Sequence, residues 1–389
     1  MIGPSAPLRG GIAQYHDRLA AALAARGHAV TRISFSRMYP SLLFPGRTQY
    51  EAPGASAAPR AGDDALPPPI ALLDSIGPRS WWRVAALAAE SDVALFEWWH
   101  PFFAPVLASI ATWLRRRGVP TLVLCHNLEP HEPMPGGALL ARFALGRAAG
   151  FIVQSSADAA RLRARYPGRP VTLMLHPAEP PAVCVHAATA DAAARRAACA
   201  ATFDVPPARR RILFFGYVRA YKGLPTLIEA MPLLPADVQL VVAGEIYHHD
   251  ADHYRALAAR LGVADRVVLL DRFVASKDLA CCFGMTDLVV LPYWNASQSG
   301  VAPLAFVSGR AVVASAVGGL PDLIRPGETG LLVPPGDAPA LAAAVTRGLD
   351  HAAEWGAAAA AAARGFSWDA AAGAVEELAS AVSAPRPAC

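Results

Sequence analysis

Short apolar runs alternate with amphipathic segments along most of the chain. Apolar residues recur at helical spacing between Gly10 and Gly27, which predicts a helix with a glycine stop at its end. The later apolar runs predict strands at 29–35, 70–73, 92–96, 121–125, 151–154 and 171–174, with a further helix at 78–90. Alternation of buried apolar strands with helices is typical of a parallel, doubly wound α/β sheet.

A second alternating unit follows a break in this pattern. Its predicted strands are 211–215, 238–243, 266–270, 287–291, 311–315 and 331–333. The stretch from 176 to 210 carries several prolines and an alanine-rich segment without a strand signal, which indicates an interdomain linker. We therefore predict a first domain at 1–178, a linker at 179–207, a second domain at 208–366 and a last helical segment at 367–389, whose pattern allows it to pack back across the domain junction.

The beginning of the chain departs from this scheme. Residues Met1 to Pro4 leave almost no room for a strand before the first predicted helix. A doubly wound domain normally begins with a strand. Two interpretations are open: the strand lies upstream of this sequence, which we favour, or the sheet lacks its usual central strand.

Length and composition limit the classes of protein to consider. A chain of 389 residues favours two domains, and 54% hydrophobic with 17% charged residues is typical of a globular protein. No run approaches the ~20 apolar residues that span a bilayer, and no leader pattern opens the chain, so we predict a cytoplasmic protein. Six cysteines without a CxxC pair indicate reduced thiols rather than disulfides or zinc. A net charge of +4 does not indicate nucleic-acid binding, but it permits an anionic ligand.

The stretch from Val289 to Ile324 has the features of an anion cradle built twice. The loop Ser297–Gly300 precedes an apolar helical pattern, and Gly318 with Gly319 precedes another. Each helix start would offer free backbone N–H groups and a positive dipole end, and two of them suit a diphosphate. No Asp, Glu, His or Lys lies between Tyr293 and Pro321. Any chemistry here depends on backbone donors and on residues from elsewhere in the chain.

Short motifs along nearly the whole chain resemble those of the family 4 glycosyltransferases. They are Gly3-Pro4, Gly10-Gly11-Ile12-Ala13, Cys125-His126-Asn127, Pro130-His131-Glu132, Phe215-Gly216, Arg219, Tyr221-Lys222-Gly223, Ala243-Gly244-Glu245 and Gly318-Gly319-Leu320-Pro321-Asp322. The resemblance implies the GT-B fold, in which two doubly wound, Rossmann-like domains face a cleft. It also implies transfer of a sugar, with retention of configuration, from a nucleotide diphosphate sugar to a saccharide or lipid-linked acceptor.

The resemblance further implies that Arg219 and Lys222, after the first strand of the second domain, clamp the donor diphosphate and take part in catalysis. Their chemistry fits, since Arg offers phosphate a bidentate fork and Lys a point charge. The alternative is a solvated cationic pair at a helix start. Gly10 and Gly11 would approach the same diphosphate from the first domain, or form a plain helix-entry turn. His126, at a strand end, would hydrogen-bond the donor sugar as a catalytic contact, or fill space in the domain cleft.

Further donor contacts are implied in the same way. They are Gly216, Glu245, Phe273, whose backbone would meet the base, and the run Gln298, Ser299, Gly300 and Val301. His131 and Glu132, on the loop of His126, bind the acceptor or order the loop. The segment Glu97–His100 also follows a strand, where its aromatic faces stack on a ligand or pack beneath the loop.

One departure from the family places the chain in a variant subgroup. Many members carry two glutamates eight positions apart, the first near the sugar and the second on the ribose. The corresponding positions here are at or near Ala296 and at Leu304. Gln298, Ser299 and the backbone of Gly300 and Val301 would then hold sugar and phosphate. No cofactor or metal is implied, and the donor is a UDP- or GDP-sugar.

Alternatives to catalysis by transfer stay open at this stage. A chain that lost both carboxylates could bind sugar nucleotides or glycans without turning them over. An epimerase acting on a sugar nucleotide is a third reading, and it would need acid and base groups that face the sugar.

Two clusters combine tryptophan with arginine, at Trp81–Arg83 and Trp113–Arg117. Such clusters suit peripheral contact with an anionic membrane at its inner face, or they are helices that expose arginine opposite a packed tryptophan.

Overall fold

The computed structural model describes residues 1–8, 10–40, 49–50, 66–128, 134–181, 186, 191–246 and 251–383. The chain divides into two compact units. One comprises Met1–Leu175 with Trp368–Cys389, and the other comprises His176–Ser367. Each unit is built on a parallel β-sheet with helices, as the alternation of apolar runs predicted.

The described residues of the first unit form six strands: β1 (Ile33–Arg37), β2 (Ile70–Asp74), β3 (Ala94–Trp98), β4 (Thr121–Cys125), β5 (Gly150–Val153) and β6 (Val171–Leu173). They pair in the orders β1-β2 and β3-β4-β5-β6, all parallel. Ile2 forms parallel bridges to both β1 and β3. Its N–H donates to the Leu95 carbonyl at 2.8 Å, and its carbonyl accepts from the Glu97 N–H at 3.0 Å. A single paired residue therefore occupies the central place in the sheet.

In the described part of Met1–Leu175, five helices accompany this sheet: α1 (Gly11–Ala25), α2 (Pro78–Ala88), α3 (Ala104–Arg116), α4 (Gly137–Leu145) and α5 (Ser156–Arg165). The helix α1 buries Leu19 and Leu23 together with Tyr15 and His16. The helix α5 begins after Ser155, whose Oγ accepts from a backbone N–H in the first turn. Such a cap satisfies a backbone donor that has no partner within the helix.

In the second unit, the part that the structure describes has six strands: β7 (Arg210–Phe215), β8 (Val238–Ala243), β9 (Val267–Leu270), β10 (Leu288–Leu291), β11 (Ala311–Ser315) and β12 (Gly330–Val333). Its helices are α6 (Ala192–Ala201), α7 (Leu224–Ala230), α8 (Ala251–Arg260), α9 (Leu279–Gly284), α10 (Val301–Val307), α11 (Leu320–Leu323), α12 (Ala338–Asp350) and α13 (Ala352–Ala362). The strand order is β12-β11-β10-β7-β8-β9. The order reverses between β7 and β10, and ligands of open α/β sheets bind beyond the carboxyl ends of the strands at such a point.

The stretch 179–207, expected to be a linker, contains the helix α6. Asp191 caps this helix by accepting from the N–H groups of Ala193 and Ala194. Both terminal guanidinium nitrogens of Arg196 pair with the carboxylate of Asp287, immediately before β10. The small side chains of α6 let it lie on α9, so this alanine-rich segment is part of the second unit.

A last helix, α14 (Trp368–Ser383), belongs to the first unit. It lies against α1, β5 and β6. The Trp368 ring meets the edge of Tyr15 with 5.0 Å between centroids, and Glu376 accepts two hydrogen bonds from Arg26 at 2.7 Å each. In the described part of the chain, every helix is too short or too polar to cross a membrane.

Candidate functional site

The loop after β7 surrounds a buried lysine. Lys222 ends a short 3₁₀ helix and is 8% exposed. Gly216 follows β7 with a φ of 91°, and a Cβ at this position would lie 3.1 Å from Nζ of Lys222 and 3.9 Å from the Val301 side chain. The glycine therefore leaves the space that the ammonium group occupies, and it brings the start of α10 to the same place.

Lys222 is a buried cation without a carboxylate partner among the described residues. Its Nζ lies 5.7 Å from the ring centroid of Tyr293, which offers a cation–π contact. Burial, followed by repulsion from Arg219, lowers the pKa of Lys222 to about 8. A buried charge normally has a counterion. Lys222 is therefore a buried cation for which the described residues supply no counterion.

Because the pKa of Lys222 is lowered, a rise in pH has opposite effects on the stability of the free protein and on its affinity for an anion. Because the folded-state pKa lies below the ordinary value of 10.5, the charged lysine lowers stability most at pH values below about 8, and this cost disappears as the pH rises towards 10.5. A bound anion raises the pKa of the lysine again. Anion affinity should therefore fall as the pH rises through the interval between these two values.

The loops after β7 and β10 are joined by close backbone contact. The N–H of Trp294 donates to the Tyr221 carbonyl at 2.7 Å, and its indole N–H donates to Oγ1 of Thr226 at 3.0 Å. Gly223 has a φ of 67°, and a Cβ there would lie 1.9 Å from the Pro292 carbonyl oxygen. The lysine loop and the loop that leads into α10 are therefore held in one fixed arrangement.

The glycine pair after β11 differs from the predicted second cradle. The helix α11 is a single turn of 4 residues, so it has no appreciable dipole, and the N–H of Gly319 donates to the Ser297 carbonyl at 2.9 Å. Gly318 has a φ of 55°, and a Cβ there would lie 1.8 Å from the Ala296 carbonyl oxygen. The prediction of a second anion cradle is wrong: these glycines support the loop before α10.

That supported loop carries four of the predicted contact residues. The Val301 N–H, at the start of α10, donates to Oγ of Ser299 at 3.2 Å. Oε1 of Gln298 is buried without a hydrogen-bond partner among the described residues. A Cβ on Gly300 would lie 3.3 Å from the His176 ring. His176 was missed by the sequence reasoning, although its place directly after a predicted strand was a signal.

The other predicted residues of this unit lie on neighbouring loops. Glu245 follows β8, and its carbonyl accepts from the Val218 N–H at 2.9 Å. Phe273 follows β9 and is 57% exposed. Ala296 is buried, and Leu304 is half-buried on α10. Among the described residues, no three His, Cys, Asp or Glu side chains come together as metal ligands.

In the first unit, Gly10 and Gly11 stand at the entry of α1. Gly10 has a φ of 130°, which only glycine adopts readily. No described atom lies within 4 Å of a Cβ built on either residue. Among the described atoms, none covers the backbone at this helix start. Of the two residues, only Gly10 has a backbone conformation that requires glycine.

His126 lies at the end of β4 and is 3% exposed. Its backbone N–H donates to the Trp98 carbonyl at 2.8 Å, and its ring meets the edge of Tyr15 with 5.0 Å between centroids. Burial lowers the pKa of His126 to about 3, so the imidazole is neutral near pH 7. Trp98, at the end of β3, is fully buried, which favours packing over stacking on a ligand. His131 and Glu132 lie outside the described residues.

Two family models match the chain in succession. The model described as Glycosyltransferase Family 4 matches residues 9–177, and the model described as Glycosyl transferases group 1 matches residues 209–351. The chain belongs to the family 4 glycosyltransferases. This confirms the resemblance on which the site residues were chosen, although it does not test their roles.

Relatives of this family 4 glycosyltransferase include D-inositol 3-phosphate glycosyltransferases. The one from Streptomyces scabiei is 31% identical over 293 residues, which are 68% of this chain and 64% of that protein. The one from Mycolicibacterium gilvum is 39% identical over 142 residues, which are 36% of this chain. The chain matches about a third of the length of this relative, 31%.

Solved structures agree with the fold. Sucrose-phosphate synthase from Thermosynechococcus elongatus has a TM-score of 0.70 at 24% identity, with 98% of both chains covered. The HepE protein of Anabaena in complex with UDP has a TM-score of 0.64 at 19% identity, covering 80% of this chain and 85% of that one. The predicted GT-B fold, with two doubly wound parallel-sheet domains, is confirmed.

Proposed function

We propose that this family 4 glycosyltransferase moves a sugar from a UDP- or GDP-sugar to a saccharide or lipid-linked acceptor with retention of configuration. The observation that carries the proposal is Lys222, a buried ammonium beside Gly216 without a described carboxylate partner. A donor diphosphate supplies the missing negative charge. Arg219, on the same loop, adds a planar fork for the phosphate oxygens.

The proposed step needs no carboxylate nucleophile, which accords with apolar residues at or near Ala296 and at Leu304, where the family resemblance implies glutamates. The acceptor oxygen bonds to the anomeric carbon while the bond from that carbon to the diphosphate oxygen breaks. The leaving diphosphate takes the acceptor proton on the same face. Lys222 and Arg219 stabilise the charge that develops on the leaving group, which is the main requirement of such a step.

A panel of nucleotide sugars tests this function on the purified full chain. We expect the right UDP- or GDP-sugar to raise the melting temperature, because a ligand at about 100 times its Kd stabilises by about 2.7 kcal/mol. With an acceptor panel, NMR of the product should show the anomeric configuration of the donor. Failure of every nucleoside diphosphate to stabilise the protein would refute the donor assignment. Binding without turnover would instead favour a sugar-nucleotide-binding protein, and an isomerised donor without acceptor would favour an epimerase.

We also propose that α4 contacts an anionic membrane surface. Leu139 is 73% exposed, Phe143 is 55% exposed, and the Arg147 guanidinium lies 3.5 Å from the Phe143 ring centroid. An exposed apolar strip flanked by arginine suits a leaflet of anionic lipids. Of the two predicted tryptophan clusters, the one at Trp113 contributes less, since the Arg117 guanidinium stacks on the Trp113 ring, whereas Trp82 in the other is 62% exposed.

Vesicle flotation tests this contact. The chain should float with vesicles that contain anionic phospholipid, less so at high salt, and a Leu139→Glu/Phe143→Glu variant should lose most of this binding. Leu233→Glu, at an apolar residue of the second unit that is 58% exposed, is the matched control and should float like the parent. Equal flotation of all three proteins would contradict the membrane contact.

We propose a cytoplasmic location because described cysteines are present as thiols. Cys125 and Cys282 are free, buried thiols. Unpaired thiols are typical of a reducing compartment.

A further inference from the structure

Three polar side chains meet in the interior of the first unit. His16 comes from α1, Glu97 from β3 and His126 from the end of β4. The His16 and Glu97 side chains are 0% exposed, and that of His126 is 3% exposed. Nδ1 of His16 lies 3.1 Å from Oε1 of Glu97, and Nε2 of His126 lies 3.5 Å from Oε2 of the same carboxyl group. One buried carboxyl group therefore stands between two imidazoles.

The backbone at Gly3 packs closely against this cluster of side chains. A Cβ on Gly3 would lie 2.7 Å from Nδ1 of His16 and 3.0 Å from Oε2 of Glu97. Gly3 follows Ile2, the residue that occupies the centre of the sheet. The backbone at Gly3 therefore lies directly against the Glu97 carboxyl group, and only glycine fits at this position.

The cluster holds a hydrogen bond that is nearly formed. Oε2 of Glu97 and Nε2 of His126 are both buried without a partner among the described residues. A buried polar atom without a partner costs about 1 to 3 kcal/mol. The two atoms are 3.5 Å apart, so a small movement of either side chain would satisfy both.

The position of the proton on the His126 ring determines which ring nitrogen can accept a hydrogen bond from a ligand. A neutral imidazole has one N–H donor and one acceptor nitrogen, and the hydrogen bond made by one nitrogen fixes the other. Burial keeps His126 neutral near pH 7. Burial also raises the pKa of Glu97, against the opposing effect of His16. His16 is therefore part of what keeps the Glu97 carboxylate available as an acceptor.

We propose that Glu97 is a positioning residue for His126. Its Oε2 accepts from the Nε2–H of His126, which leaves Nδ1 of that ring as an acceptor for a hydroxyl group of the substrate. His16 in turn donates its Nδ1–H to Oε1 of Glu97 and holds the carboxylate in place. The contact of His126 with substrate rests on the proposed function. The hydrogen-bonded arrangement of the three side chains does not.

NMR of the ligand-free full chain, labelled with ¹⁵N-histidine, tests the arrangement directly. We expect His126 to carry its proton on Nε2, and this proton to resonate downfield and to exchange slowly with water. A His126→Gln variant assigns the signal among the 11 histidines. A proton on Nδ1 of His126 in the parent protein would overturn the proposal, whether or not any variant folds.

Glu97→Leu removes the acceptor while keeping an apolar volume in the core. In this variant the Nε2–H signal should lose its downfield position and its protection from exchange. Trp98→Phe is the matched control, because it removes a buried N–H on the neighbouring residue of β3 and should leave the signal in place. An unchanged His126 signal in Glu97→Leu would refute the role of Glu97.

Steady-state kinetics then measure how the loss of the Glu97 carboxylate affects sugar transfer. Removal of the partner that orients a functional histidine typically costs about 10- to 100-fold. We expect Glu97→Leu to lower kcat by this factor with little change in the donor KM, while Trp98→Phe keeps the parent rate. A parent protein that shows the expected NMR signal but transfers no sugar would refute the proposed function and leave the positioning of His126 intact. A donor KM that rises while kcat is unchanged would overturn the proposed positioning during transfer.

Discussion

Replacement of Lys222 by alanine should weaken the binding of UDP or GDP by about 10- to 100-fold. A hydrogen bond to a charged group contributes about 1.5 to 3 kcal/mol, and Lys222 is the buried cation of the site. The double variant Arg219→Ala/Lys222→Ala should bind more weakly still, because the two side chains would grip the same diphosphate. Isothermal titration calorimetry on the parent and both variants measures this loss.

The chain supplies a matched control for the loss of a lysine. It has two lysines, and the second, Lys277, is exposed. Lys277→Ala removes the same charge and should bind as tightly as the parent. Lys222→Met should bind nucleotide poorly and yet melt at a higher temperature, since it fills the space of the lysine without burying a charge. Parent-like affinity in Lys222→Ala would show that the anion site lies elsewhere.

The fold was predictable wherever a strand is buried on both faces. The strands β4, β8 and β11 begin and end at the predicted residues because each is a predominantly apolar run between turn residues. Ile2 was not predictable, since its place in the sheet depends on pairing with β1 and β3, which are distant in sequence. The helix α6 was taken for linker because alanine and arginine give no strong periodicity. Its contact with α9 and the pairing of Arg196 with Asp287 are tertiary features.

The candidate site, like the fold, was predictable where the signal is local in the sequence and was not where it depends on tertiary contacts. Lys222 and Gly216 were found through a local motif, and the structure places them in contact. Glu97 was noted at a strand end, but its position between two histidines was not, because it requires α1 to lie against the ends of β3 and β4. A signal for His16 existed in the sequence: it shares the apolar stripe of α1 with Leu19 and Leu23, where a histidine is unusual.

Gly318→Ala should lower the free energy of unfolding by about 2 to 4 kcal/mol. An alanine at a φ of 55° is strained by about 1 kcal/mol or more, and overpacking in a closed space typically costs a further 1 to 3 kcal/mol or so. The new Cβ would lie 1.8 Å from the Ala296 carbonyl oxygen, so the backbone of the loop before α10 must move. The loop carries Ser299 and Gly300, and nucleotide affinity should therefore fall with stability.

Gly336→Ala separates the two causes, because Gly336 has a φ of 76° and no described atom within 4 Å of a built Cβ. It carries the conformational strain without the steric overlap, so it should cost about 1 kcal/mol and leave nucleotide binding unchanged. Urea unfolding followed by circular dichroism compares the two variants, and calorimetry compares their affinities. If Gly318→Ala were no less stable than Gly336→Ala, the close contact with Ala296 would not be what holds the loop. A loss of affinity in Gly318→Ala but not in Gly336→Ala would tie the anion site to the position of that loop.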